Sequence, residues 1–112
     1  MNKMRVLTTL LAVILTAKLG TIEYNGIKET WYDLPMDKVV ERTDARLGLS
    51  NMYWIRSDGV KMYAQWVIVA ADPSVTRYSI VDTSLGQGII LDNHTTGDKN
   101  HYDIATAWKG EK

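Results

Sequence analysis

Residues 67–108 read VIVAADPSVTRYSIVDTSLGQGIILDNHTTGDKNHYDIATAW, and this stretch decides the fold. Together with Trp66 it holds three strand-like runs, at residues 66–71, 79–83 and 88–91, and a fourth at 102–107 after a polar loop. The first run, WVIVAA, is continuously apolar, as in a strand covered on both faces. Pro73 follows and forbids its continuation as a central strand. The glycines of Gly86-Gln87-Gly88 imply either backbone passing close to another segment or a bulge at a sheet corner. Three aspartates sit at the ends of these runs: Asp72, Asp92 and Asp103. A carboxylate at a strand end, beside a loop able to fold over it, is a common place for acid chemistry.

Upstream, residues 53–56 and 60–63 flank Ser57-Asp58-Gly59, a tight-turn signature. Before them a helix is expected: Asp33 to cap, Pro35 in the first turn, and an apolar stripe at Met36, Val39, Val40, Thr43 and Leu47. Gly48 stands where a left-handed residue ends such a helix, and Lys38, Glu41, Arg42 and Arg46 make a solvated outer face. Residues 21–32, TIEYNGIKETWY, carry the Asn25-Gly26 hairpin signal, with Ile22 and Tyr24 on one face and Ile27 and Trp31 on another. A mobile stalk is the competing reading of that segment. Six or seven short strands, one helix and no strand–helix alternation favour a mainly β chain closed into a small barrel, which also removes exposed strand edges.

At 112 residues with 46% hydrophobic and 23% charged residues, the chain is one ordinary globular domain. Thirteen basic residues balance thirteen acidic ones, and no basic run interleaves with aromatics, which argues against nucleic acid. The absence of cysteine excludes disulfides and thiol chemistry. A short positive start (Lys3, Arg5) followed by the apolar run of residues 6–17 reads as a secretory signal, too short to span a bilayer, or failing that as an anchor. The domain of residues 21–112 is then expected in the extracellular envelope, touching membrane only through its N-terminal segment.

Taken as a pattern, A-D-P-S-V, then S-I-V-x-T-S-L-G-x-G-I-I-L-D, then D-I, the region at residues 59–108 resembles the 3D domain, named for three aspartates. That family is related to the MltA lytic transglycosylases and to small stationary-phase survival proteins of Gram-positive bacteria. Asp92 and Asp103 are eleven residues apart, as the family's second and third aspartates are. The resemblance implies a double-psi β-barrel that cleaves peptidoglycan glycan strands without a cofactor. By position, Asp103 would be the single acid/base, Asp92 would line the same cleft, and Asp72 would shape the strand exit. The acid would protonate the glycosidic oxygen while the sugar's 6-hydroxyl attacks the anomeric carbon, giving a 1,6-anhydro product with no second carboxylate as nucleophile. Tyr102 could stack on a sugar ring. Thr95 and Asn100, in the loop of residues 93–100, would lie against the substrate. That loop holds one glycine where the family has a glycine-rich segment.

Other readings compete. A barrel that holds glycan or a protein without cleaving it would keep the same strands. His94 and His101 among Asp92, Asp98 and Asp103 could form a zinc site, though in no established ligand spacing. Asp82-Thr83-Ser84 resembles superficially the signature of aspartic proteases, which face two such aspartates across a dimer or pseudo-dimer. A domain this small buries a modest core, so strand exchange between two copies is a further expectation.

Overall fold

Asn25 and Gly26 take positive φ angles, 53° and 78°, and join β1 (Thr21–Tyr24) to β2 (Ile27–Tyr32) in the computed structural model, which describes residues 20–108. A type I′ turn needs left-handed backbone at both central positions, which Asn and Gly tolerate best. Ile22 lies opposite Glu29 and Tyr24 opposite Ile27, so Ile22, Tyr24, Ile27 and Trp31 share one face rather than two. Directly opposed residues of an antiparallel pair point the same way, and the two-residue turn fixes that register. The segment read as a secretory signal lies outside the described residues. Among those described, no helix is long and apolar enough to cross a membrane.

The helix, α1 (Asp37–Leu47), ends at Gly48, whose φ of 68° and ψ of 33° let its N–H reach the Asp44 carbonyl. Asp33 does not cap it. Met36 precedes the helix with no side-chain cap, and Asp33 instead accepts a 2.9 Å hydrogen bond from the Lys61 ammonium. Lys61 is buried, and leaving its charge unpaired would cost several kcal/mol, against about 1 kcal/mol for a missing cap. The apolar stripe is shorter than expected, because Leu47 is exposed while Met36 and Thr43 are buried.

Six further strands complete the chain: β3 (Tyr53–Ile55), β4 (Lys61–Tyr63), β5 (Trp66–Ala71), β6 (Ile80–Thr83), β7 (Gly86–Asn93) and β8 (His101–Ala105). The protein is therefore mainly β with one helix, and its eight described strands exceed the six or seven expected. They form one mixed sheet in the order β1-β2-β8-β5-β4-β3, with β7 also on β5 and β6 on β7. The β2/β8 and β5/β7 pairs are parallel and the others antiparallel. Backbone pairing does not close this sheet into the expected barrel: β1, β3 and β6 are outer arms of hairpins, each paired on one side.

Both faces of β5 are covered, as its unbroken apolar run requires. Val67, Val69 and Ala71 pack with Trp31, Ile90 and Ile104 on one side. Ile68 packs with Met36, Tyr63, Ile89 and Leu91 on the other, where Val39 and Val40 of α1 lie. Trp108 is core: its indole donates 2.8 Å to the Asp58 carbonyl and meets Trp31 edge-on at 5.7 Å. Gly59, at φ 87°, permits this, since a Cβ there would stand 2.6 Å from the indole nitrogen.

Candidate functional site

Ala70 on β5 is the pivot of the site. It lies opposite Asp92 of β7 along one edge and opposite Asp103 of β8 along the other. Asp103 in turn lies opposite Thr30 of β2. Thr30, Asp103, Ala70 and Asp92 thus form a row across four strands, and opposed residues in a sheet face the same side. A bulge places Asp92 in that row. Val69 pairs with Ile90 but Ala70 with Asp92, so Leu91 is the extra residue, and without the bulge it would stand where Asp92 does. With strands about 4.8 Å apart, the two acid-bearing backbones stand about 10 Å apart across a single methyl group.

The surroundings of the two carboxylates differ. Asp92 accepts a hydrogen bond at 2.9 Å from the Asn93 N–H and has the Arg42 guanidinium 4.0 Å from the same oxygen. Arg42 is held from α1 by its 2.6 Å bond to the Leu91 carbonyl. Asp103 accepts from the Thr30 hydroxyl at 2.9 Å. Tyr32 stands two residues along β2 from Thr30, on the same face, with its phenol oxygen buried and without a hydrogen-bond partner. Burial raises the Tyr32 pKa well above the ordinary phenol range, and the charges of Asp92 and Asp103 raise it further. The phenol therefore keeps its proton beside both acids.

Behind Asp103 lies a pair of buried histidines. The Thr30 hydroxyl oxygen is 2.7 Å from His101 Nε2. The Thr96 hydroxyl bridges the rings, 3.1 Å from His94 Nδ1 and 3.4 Å from His101 Nδ1, and His94 Nε2 is 2.7 Å from the His101 carbonyl. The ring centroids are 4.7 Å apart. Burial lowers the His101 pKa, with His94 and Lys28 adding to the effect and Asp103 and Asp98 opposing it.

Of the residues selected from sequence, the sheet unites Asp92 and Asp103 and leaves the rest apart. Asp72 stands past the end of β5 and accepts from the Ser74 N–H at 3.0 Å and from its hydroxyl; these bonds lower its pKa. That is a turn-forming arrangement. Tyr102 neighbours Asp103 on β8 and so faces the opposite side, against the Trp31 cluster. Thr95 and Asn100 are exposed on the loop, where the Asn100 N–H bonds Asp98 and its carbonyl accepts from the Lys28 N–H. Thr96, also exposed, is the loop threonine whose hydroxyl reaches the histidines. The sequence does not mark Thr30 and Tyr32, which lie some sixty residues upstream and are brought in only by parallel pairing of β2 with β8. Their one sequence signal is the period-2 spacing that puts both on one face.

Among the described residues, no three His, Asp or Glu side chains converge as metal ligands. Asp82 is exposed on β6, away from this row. An open cleft of about 540 Å³ does exist elsewhere, between the start of α1 and β3, lined by Asp33, Asp37, Tyr53 and Lys61. Its lysine is paired with Oδ1 of Asp33, while Oδ2 of Asp33 is buried without a hydrogen-bond partner. Compared with known protein families, with characterised proteins and with solved structures, the chain finds no match.

Proposed function

We propose that this protein is an exported cell-wall enzyme of the lytic transglycosylase type, with Asp103 as its single acid/base. One observation carries the reading: Asp103 and Asp92 stand on one face across Ala70, with a hydroxyl on Asp103 and a phenol beside both acids. In this scheme protonated Asp103 gives its proton to the glycosidic oxygen as that bond breaks. The sugar's 6-hydroxyl then bonds to the anomeric carbon and its proton returns to Asp103, leaving a 1,6-anhydro end. Asp92, on the same face, is the carboxylate that favours the developing positive charge at that carbon. Two parallel strand pairs within an otherwise antiparallel sheet support a double-psi-like arrangement as the finer description of the fold.

The test is incubation of the purified full chain with peptidoglycan, followed by mass analysis of the soluble products. Wild type should release anhydro-sugar fragments, and Asp103→Asn should lower the rate by on the order of 10² to 10⁴. Sedimentation of the protein with peptidoglycan, with no product from wild type, would replace the enzyme by a glycan-holding module.

A further inference from the structure

The histidine pair behind Asp103 has a proton inventory that its hydrogen bonds dictate. The His101 carbonyl can only accept, so His94 must carry a proton on Nε2, and in the neutral ring its Nδ1 is then an acceptor. Thr96 has one hydroxyl proton, and His94 Nδ1 at 3.1 Å takes it. The Thr96 oxygen then offers His101 Nδ1 a lone pair only, so His101 must be protonated on Nδ1 to bond there.

Two arrangements now satisfy every member. In one, His101 is neutral with a bare Nε2, the Thr30 hydroxyl donates to it, and a protonated Asp103 donates to Thr30. In the other, His101 carries protons on both nitrogens and donates to Thr30, which donates to an ionised Asp103. The two hold the same number of protons. They differ by one proton leaving Asp103 for Thr30 while the Thr30 proton passes to His101 Nε2. If that shared proton is removed, Thr30 has two acceptors and one hydrogen, and either Asp103 or His101 loses its bond.

We infer that His101, through Thr30, is a positioning residue that shares one proton with Asp103, with Thr96 and His94 fixing its tautomer. This deepens the proposed function, since an acid catalyst must enter the reaction protonated, and it rests on that reading only for its catalytic consequence. The charged and titratable groups around the pair come from several elements: Lys28 on β2, Asp98 on the loop, Asp103 on β8, and Asp72 after β5, which acts on His94. Burial, with His94 and Lys28, holds His101 toward its neutral form.

Nuclear magnetic resonance of the full chain, labelled at His ring nitrogens and Asp carboxyl carbons, tests this without any activity. In wild type the His101 ring and the Asp103 carboxyl should change together over one pH interval, as coupled groups do. Thr30→Val should split them into separate intervals and Thr30→Ser should restore the common one. Independent titration of the two groups in wild type, a measurement that needs no variant, overturns the inference, and so does a common interval that survives Thr30→Val. Where glycan cleavage is measurable, Thr30→Val should lower kcat by about 10- to 100-fold with KM unchanged, the loss of one charge-assisted hydrogen bond, with rescue by Thr30→Ser. A common interval without cleavage would reject the enzyme and keep the shared proton. Cleavage with independent titrations would do the reverse.

Discussion

At the scale of single residues, the site holds a group whose structural and functional effects separate. The Tyr32 hydroxyl is buried without a partner, so the folded state carries its desolvation with no compensating bond. Tyr32→Phe removes the hydroxyl and strands no other group. Its stability should match wild type or exceed it by up to about 1 kcal/mol in thermal unfolding. Cleavage is another matter, because the raised pKa keeps the phenol a donor beside Asp92 and Asp103. A drop of about tenfold in kcat/KM, the worth of one neutral hydrogen bond to a reacting group, is expected. A variant as active as wild type would leave Tyr32 as packing alone. Thr30 and Tyr32 also show why half the site was illegible. Asp92 and Asp103 stood out by their mutual spacing, but nothing in TIEYNGIKETWY indicates that its second arm pairs in parallel with a strand seventy residues on.

At the scale of elements, local chemistry is legible in the sequence and long-range pairing is not. Asn25-Gly26, Ser57-Asp58-Gly59 and Gly48 each impose a backbone geometry that needs no distant partner, and each appears where expected. The cap on α1 failed because Asp33 found a stronger demand in Lys61. What attaches α1 to the sheet was likewise hidden: the hydroxyl of Tyr63, a fully buried residue of β4, donates 2.5 Å to Asp44. Tyr63→Phe keeps the ring in place and removes that bond, and should cost about 1 to 2 kcal/mol in denaturant unfolding. The same bond has a pH signature. Burial, and secondarily Asp44, pushes the Tyr63 phenol from its usual 10.0 up to about 12. Between those values the folded state binds more protons than the unfolded one, so stability falls as pH rises through that window. Tyr63→Phe should flatten that part of the slope. An unchanged alkaline slope would mean that Tyr63 is not its source.

At the scale of the whole molecule, the question is how an unclosed sheet buries one of its faces so completely. Outer arms β1 and β6 do not pair with each other, yet Ile22 of β1, Val81 of β6 and Leu85 of the β6–β7 turn all join the Trp31 cluster. The sheet must therefore curl, and one polar link spans the curl. Glu29 of β2, 1% exposed, accepts from the Ser84 N–H at 3.0 Å and from the Ser84 hydroxyl at 2.5 Å. Its pKa is raised by burial, against the lowering effect of both Ser84 bonds. For an acid raised above its unfolded value of 4.5, the folded state binds the extra proton. Stability therefore falls as pH climbs from the unfolded pKa through the folded one. Glu29→Gln keeps the link, since its amide oxygen can take the Ser84 N–H while its amide nitrogen donates to the Ser84 oxygen, and it carries no charge. Thermal unfolding at roughly pH 4 to 8 should show this variant at least as stable as wild type at neutral pH, with a flatter profile. Glu29→Ala strands the Ser84 N–H in the interior and should lose about 1 to 3 kcal/mol at every pH. Amides of β1 and β6 should then exchange faster than those of β5, because the link released ties the β1–β2 hairpin to the β6–β7 turn. Equal stability of the Ala and Gln variants would show that apolar packing alone holds the curl, and that Glu29 is only tolerated within it.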